Sequence, residues 1–266
     1  MNVYLFELRR SLKSAAVWTA VLLAAVIVLI AAFYPVYYNS RADLEAILAG
    51  FPPEFSAAFG LAVNDIFSFG GFYAFCFLYL SLMGAVMAAS LGLQIFAREK
   101  QGRCTDFLLT KPRSRFVLFF AKLLAALTLL VASNAFFLPV LAALYAAYGH
   151  GEASMGRVVL AASALFFTEL VMLAAAVAAA IFARRIRSVS GTATAIGFAG
   201  FILTALHSIL KEDALRYITP YKYFDPAMAF SAGHFEPRYA AAAALATVLL
   251  LAAALTRYCS ADTRAL

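Results

Sequence analysis

Apolar positions run along this chain in six long blocks, about 15–37, 72–97, 116–143, 158–183, 191–210 and 239–255, with short polar segments between them. A helix rises about 1.5 Å per residue, so roughly 20 apolar residues cross a hydrocarbon core about 30 Å thick. An open strand edge in lipid would leave backbone groups without partners, so helices are the expected spanning element. The abundance of Ala and Leu agrees. The pattern predicts an all-α integral membrane protein with about six transmembrane helices and a single membrane domain over 1–266. The fourth block is long enough to tilt, and Pro139 is placed to kink the third. Arg9, Arg10 and Lys13 precede an apolar stretch from about Ala15 to Phe33. That stretch is too long for a cleavable signal peptide and reads as an uncleaved first span.

Composition supports lipid as the solvent. Hydrophobic residues make up 65% of the chain and charged residues 13%, with a mean hydropathy of +0.87. A soluble domain is about half apolar and about a quarter charged. The net charge of +7 does not point to nucleic acid, because the basic residues sit in short clusters between apolar blocks. With the amino terminus inside, the inner segments hold Arg9, Arg10, Lys13, Arg98, Lys100, Arg103, Lys111, Arg113, Arg115, Lys122, Arg184, Arg185, Arg187, Arg257 and Arg264. The outer segments hold only Arg41, Arg157, Lys211, Arg216, Lys222 and Arg238. This positive-inside bias predicts that both termini are cytosolic.

The connections differ in character. The first outer loop, about 38–71, carries Phe51, Pro52, Pro53, Phe55 and Phe59. The last outer loop, about 211–238, carries Tyr217, Tyr221, Tyr223, Phe224, Phe230 and Phe235. Aromatic loops of this kind predict short helices at the outer interface. Met1–Ser14 predicts a short amphipathic helix on the cytosolic surface. The longest inner loop reads R-E-K-Q-G-R-C-T-D-F-L-L-T-K-P-R-S-R, from Arg98 to Arg115. Thr105 or Asp106 can cap a short helix through Phe107, Leu108 and Leu109, ended by the Lys111–Pro112 step. Two readings stay open on physics alone. One is a solvated basic loop that sets topology and binds anionic lipid head groups. The other is a docking element gripped by a partner protein's groove, since three apolar residues are presented to water between charged flanks.

The pattern E-K…G…T-D-F-L-L-T-K-P-x-S-R, from Glu99 to Arg115 and followed by Lys122, resembles the first cytosolic loop of ABC-2 type ABC transporter permeases. Three further stretches agree in order: F-E-L-R-R-S-L-K-S…W (Phe6 to Trp18), F-P-P-E-F…A-F-G (Phe51 to Gly60) and I-T-P-Y-K-Y-F-D-P (Ile218 to Pro226). The first stands where that family has an amphipathic elbow before its first span. The resemblance implies a permease subunit of an ATP-driven transporter in the cell membrane, with export as the expected direction. It implies a second permease chain, identical or not, and two separate ATPase subunits that bind ATP and Mg. Glu99, Thr105, Asp106, Phe107, Leu108, Leu109 and Pro112 would then form the coupling helix and its flanks, seated in a cleft of the ATPase.

No G-x-x-x-x-G-K-[ST] phosphate loop occurs, so the chain carries no ATP site of that kind, and the expectation is a permease without catalytic residues or cofactor of its own. Glu169 lies near the middle of the fourth block. A charge there costs a few kcal/mol even on lenient scales, so it should face a partner helix or wet cavity, or be protonated. It reads either as a substrate or proton site or as a residue of helix packing. Asn134, Gln94 and Ser133 can hydrogen-bond between helices. The small residues Gly191, Ala195, Gly197 and Gly200 allow close helix approach or line a dimer interface. His150, His207 and His234 are too scattered for a metal site, and Cys76, Cys104 and Cys259 show no zinc or disulfide spacing. The alternatives from other classes are an intramembrane enzyme acting on lipid or peptide, and an ion-coupled carrier. An enzyme needs convergent polar groups at one depth, which Glu169 lacks. A carrier usually shows broken spans and inverted repeats. The transported substrate is not legible.

Overall fold

No Gly or Pro interrupts the chain before Pro35, and helix α1 accordingly runs from Val3 to Ile27. The segment expected as an amphipathic elbow, up to Ser14, is helical and continues into the first span without a break. Pro35 has no N–H, and its ring crowds the carbonyl four residues back. The helix widens into a π turn over Val28–Phe33 and resumes as α2, Tyr34–Asn39. The first span therefore passes through its proline instead of ending there. In this computed structural model, residues 3–41, 47, 50–58, 66–102 and 114–260 are described.

The remaining helices are α3 (Pro53–Ala58), α4 (Phe69–Gly102), α5 (Arg115–Tyr148), α6 (Met155–Phe182), α7 (Val189–Leu210), α8 (Asp213–Arg216), α9 (Pro226–Ser231) and α10 (Pro237–Ser260). Side chains cap four of them: Ser68 accepts from Gly71 N–H at 3.0 Å, Ser114 from Val117 N–H at 3.4 Å, Ser188 from Gly191 N–H at 3.1 Å and Asp225 from Ala227 N–H at 2.9 Å. Pro139 lies inside α5, which continues through it to Tyr148. Lys211 closes α7 in the left-handed conformation, with φ 54°. No strand occurs among the described residues. Among the described residues, six helical segments are long and apolar enough to cross a membrane: Val3–Asn39, Phe69–Arg98, Arg115–Tyr148, Met155–Phe182, Val189–Leu210 and Pro237–Ser260. The short helices expected in the first and last outer loops are α3, and α8 with α9.

Helices α4 and α6 form the centre, and their apolar stretches are 67% buried against 22% for α7 and α10. Small residues bring the central pair together. A Cβ built on Gly92 of α4 would lie 3.1 Å from the Ala176 Cβ of α6. In lipid, where apolar burial drives little helix association, such close approach supplies the attraction. Around this pair α1 rests on α5 and α4, α7 rests on α4, and α10 rests on α6. The outward faces expose Val17, Phe136, Ile202, Leu245 and Val248, which suits contact with acyl chains. Arg98, Arg115, Arg184 and Arg257 gather at one end of the bundle, the basic end. The aromatic connections lie at the other.

Candidate functional site

At the basic end, α4 and α5 hold the two ends of the loop read above as a docking element. The Arg98 guanidinium donates to Glu7 Oε2 at 2.7 Å, which joins the last turns of α4 to the first turns of α1. Glu7 is the only acidic residue before Asp43, set among Arg9, Arg10 and Lys13. Its isolation was the available signal for a paired role. Gln94 donates to Ser14 Oγ at 3.2 Å along the same seam. Lys122 of α5 is only 1% exposed. Its ammonium donates to the Ile95 carbonyl at 3.3 Å and lies 5.7 Å from the Phe96 ring centroid. Phe96 and Phe119 meet at 5.2 Å, and Phe119 meets Tyr258 of α10 at 5.7 Å. Arg115 donates to the Cys259 carbonyl at 3.3 Å. The loop thus springs from two helix ends that are tied to each other and to α1 and α10.

Halfway along the bundle, Glu169 of α6 is 0% exposed. Its Oε2 accepts from Asn134 Nδ2 of α5 at 2.6 Å, and Asn134 also donates to the Leu130 carbonyl at 3.1 Å. Oε1 has no hydrogen-bond partner and lies against Gly84 of α4, where a Cβ would come within 2.5 Å of it. One turn of α5 thereby links three helices, because Ser133 accepts from Thr19 Oγ1 of α1 at 2.9 Å. The expected interhelical bonds of Asn134, Gln94 and Ser133 are all present. An amide is not an acid, base or nucleophile, so the pair can orient and hold but supplies no catalytic couple.

The aromatic end is strapped down by charge and rings. Glu236 binds Arg216 at 2.6 Å and Arg238 at 2.9 Å, and both guanidinium groups face the buried Tyr239 ring, at 3.8 and 4.7 Å. Partial burial works to raise the Glu236 carboxyl, but hydrogen bonds from the two arginines hold it below the usual carboxylate range. Tyr221 donates to the Gly197 carbonyl of α7 at 2.7 Å, and Tyr223 donates to the Tyr217 carbonyl. Burial pushes both phenols up.

Of the residues read as the docking element, Glu99 falls in the last turns of α4, where only its backbone is described. Thr105, Asp106, Phe107, Leu108, Leu109 and Pro112 lie outside the described residues. Among the described residues, no three His, Cys, Asp or Glu side chains gather as metal ligands. Gly84 and the Glu7–Arg98 pair were not singled out by sequence reasoning, since nothing local marks which helix a residue will meet. The family model described as ABC-2 family transporter protein matches residues 1–262. Comparisons with curated proteins and with solved structures each find no match.

Proposed function

The chain belongs to the ABC-2 family of transporter proteins, and from that premise we propose that it couples to a separate ATPase through the 98–115 loop and works as an exporter. The coarser statement stands on the family and the six spans: this is a multi-pass transmembrane permease of an ABC transporter. The observation that carries the coupling proposal is the frame at the basic end. Arg98, Lys122 and Arg115 tie the two loop ends to α1, to each other and to α10. A push on a loop held this way moves several spans together, whereas a slack loop would absorb it.

In this reading Thr105 to Leu109 form the element that the ATPase grips, with Glu99 and Pro112 flanking it, and the basic end faces the cytosol with both termini. The membrane is the cell membrane. ATP and Mg are bound by the ATPase pair, and a second permease chain completes the core. ATP shifts the transporter only as far as it favours one arrangement of the spans over another. Glu169, Asn134 and Gly84 lie where α4, α5 and α6 would move against each other, and Glu169 is the polar group that such motion would meet first. The test is purification of the tagged full chain in mild detergent from its own membranes. Recovery of a soluble ATP-hydrolysing partner supports the reading, and its absence in several detergents contradicts it.

A further inference from the structure

Helices α1 and α5 both set out from the basic end, and two hydrogen bonds fix how they meet. Thr19 donates to Ser133 Oγ at 2.9 Å, and the Tyr4 hydroxyl meets Thr128 Oγ1 at 3.2 Å. A helix running straight beside α5 would put Tyr4 level with Leu118, about 15 Å from Thr128 and beyond the reach of a tyrosine. The start of α1 therefore leans across α5, towards the membrane plane. Its inner side holds Glu7, Ser11 and Ala15, all buried, and the Glu7 carboxylate is bound to Arg98. Arg9 and Lys13 stand four positions apart, as neighbours on the exposed side. Neither has an ion-pair or hydrogen-bond partner among the described residues. Leu5 and Leu12 flank the two cations on one side, and Phe6 and Val17 on the other. All four are between 40% and 64% exposed.

We propose that Arg9 and Lys13 bind the headgroup of an anionic phospholipid, whose acyl chains lie along the four apolar side chains. A topology signal needs only that basic residues be present. These two share one face, have apolar rows on both sides, and have the acid of the stretch turned away from them. Helices that lie in the interface place basic side chains at the phosphates and apolar ones among the acyl chains. A zwitterionic headgroup would bring a cation of its own against Arg9 and Lys13. A free phosphate would engage the cations and leave the apolar rows uncovered. Lipid is favoured over an acidic protein surface because the exposed apolar face continues through Val17 and Val21 into the first span, where acyl chains are the surroundings. The site rests on neither the 98–115 loop nor its ATPase. Only the choice of leaflet rests on the orientation proposed above, which makes it the cytosolic one.

The full chain, reconstituted in nanodiscs of equal phosphatidylglycerol and phosphatidylcholine, is released into the gas phase, and the lipid it retains is weighed by native mass spectrometry. The expected result is retention of phosphatidylglycerol about tenfold above phosphatidylcholine. The double variant Arg9→Gln, Lys13→Gln should bring that ratio down towards the composition of the disc, with an unchanged thermal midpoint because both side chains are exposed. Arg184→Gln, Arg185→Gln removes as many exposed charges from the same end of the bundle and should keep the preference. The swap Arg9→Lys, Lys13→Arg keeps both charges and should keep it as well. No preference in the parent, full preference in the folded Arg9, Lys13 variant, or equal loss in both double variants overturns the proposal. Glycerol phosphate displacing the retained phosphatidylglycerol as well as the intact lipid does overturns its lipid half. Loss of a copurifying protein from the Arg9, Lys13 variant, with the lipid ratio unchanged, would overturn it in favour of a protein partner.

Discussion

The carboxyl of Glu169 occupies the space that a side chain at Gly84 would need, since a Cβ on Gly84 would lie 2.5 Å from Oε1. The bare backbone of α4 and the acid of α6 are therefore two halves of one contact, with Asn134 holding the acid from the third side.

Gly84→Ala should therefore act as an overpacking change, costing about 1–3 kcal/mol. Thermal unfolding of the purified chain measures it. Glu169→Ala removes the oxygen, so the two changes together should cost less than the sum of each alone. Strict additivity would show that the contact carries no energy.

The Glu7–Arg98 pair invites the same cycle at the basic end. Its two charges are mostly shielded from water, and a charge-assisted hydrogen bond of this kind contributes about 1.5–3 kcal/mol. Glu7→Gln should speed hydrogen exchange across residues 3–14 and leave the middle of α6 unchanged. Equal acceleration in both segments would mean that the pair supports the whole fold instead of tethering α1 to α4.

Acid should loosen the strap at the aromatic end. The Glu236 carboxyl titrates below its unfolded value of about 4.3. Its contribution is complete above that value and is lost as the pH falls through the lower folded one. Protease cleavage within 211–238 should rise in the parent below about pH 4. Glu236→Gln should show high cleavage already at neutral pH and little further change on acidification.

The small residues of α7 divide into two kinds. Gly197 is used inside the chain, with a Cβ there falling 2.6 Å from Val86 Cγ2 of α4, and Gly200 faces the Tyr221 ring. Gly191 and Ala195 are exposed. Gly197→Val should lower stability by about 1–3 kcal/mol, while Gly191→Ala should stay within about 0.5 kcal/mol. Thermal unfolding of both variants checks the pair.

The helical architecture was legible because a membrane span is a one-dimensional signal. Enough apolar residues in a row fix the element, whatever else the chain does. Phe51, Pro52 and Pro53 marked a short interfacial helix in the same way, through composition alone. Partnerships were not legible. Asn134 and Glu169 stand 35 positions apart, and Glu7 and Arg98 stand 91 apart, and which faces meet depends on how the bundle assembles. The π turn had a visible cause in Pro35. A proline at the end of an apolar run signals either an exit or a distortion, and only the helix that follows decides which. The proposed docking element rests on sequence chemistry, since T-D-F-L-L-T-K-P places apolar side chains among charges where topology alone needs none and lies outside the described residues.

The most direct test of coupling through the 98–115 loop compares the parent with a Phe107→Asp, Leu108→Asp double variant. Both tagged chains are purified from their own membranes in mild detergent, and the copurifying proteins are identified by mass spectrometry. The expected result is a soluble ATPase recovered with the parent and lost from the variant, while both chains keep the same helicity and thermal midpoint. An ATPase recovered equally with both chains would contradict docking through this loop.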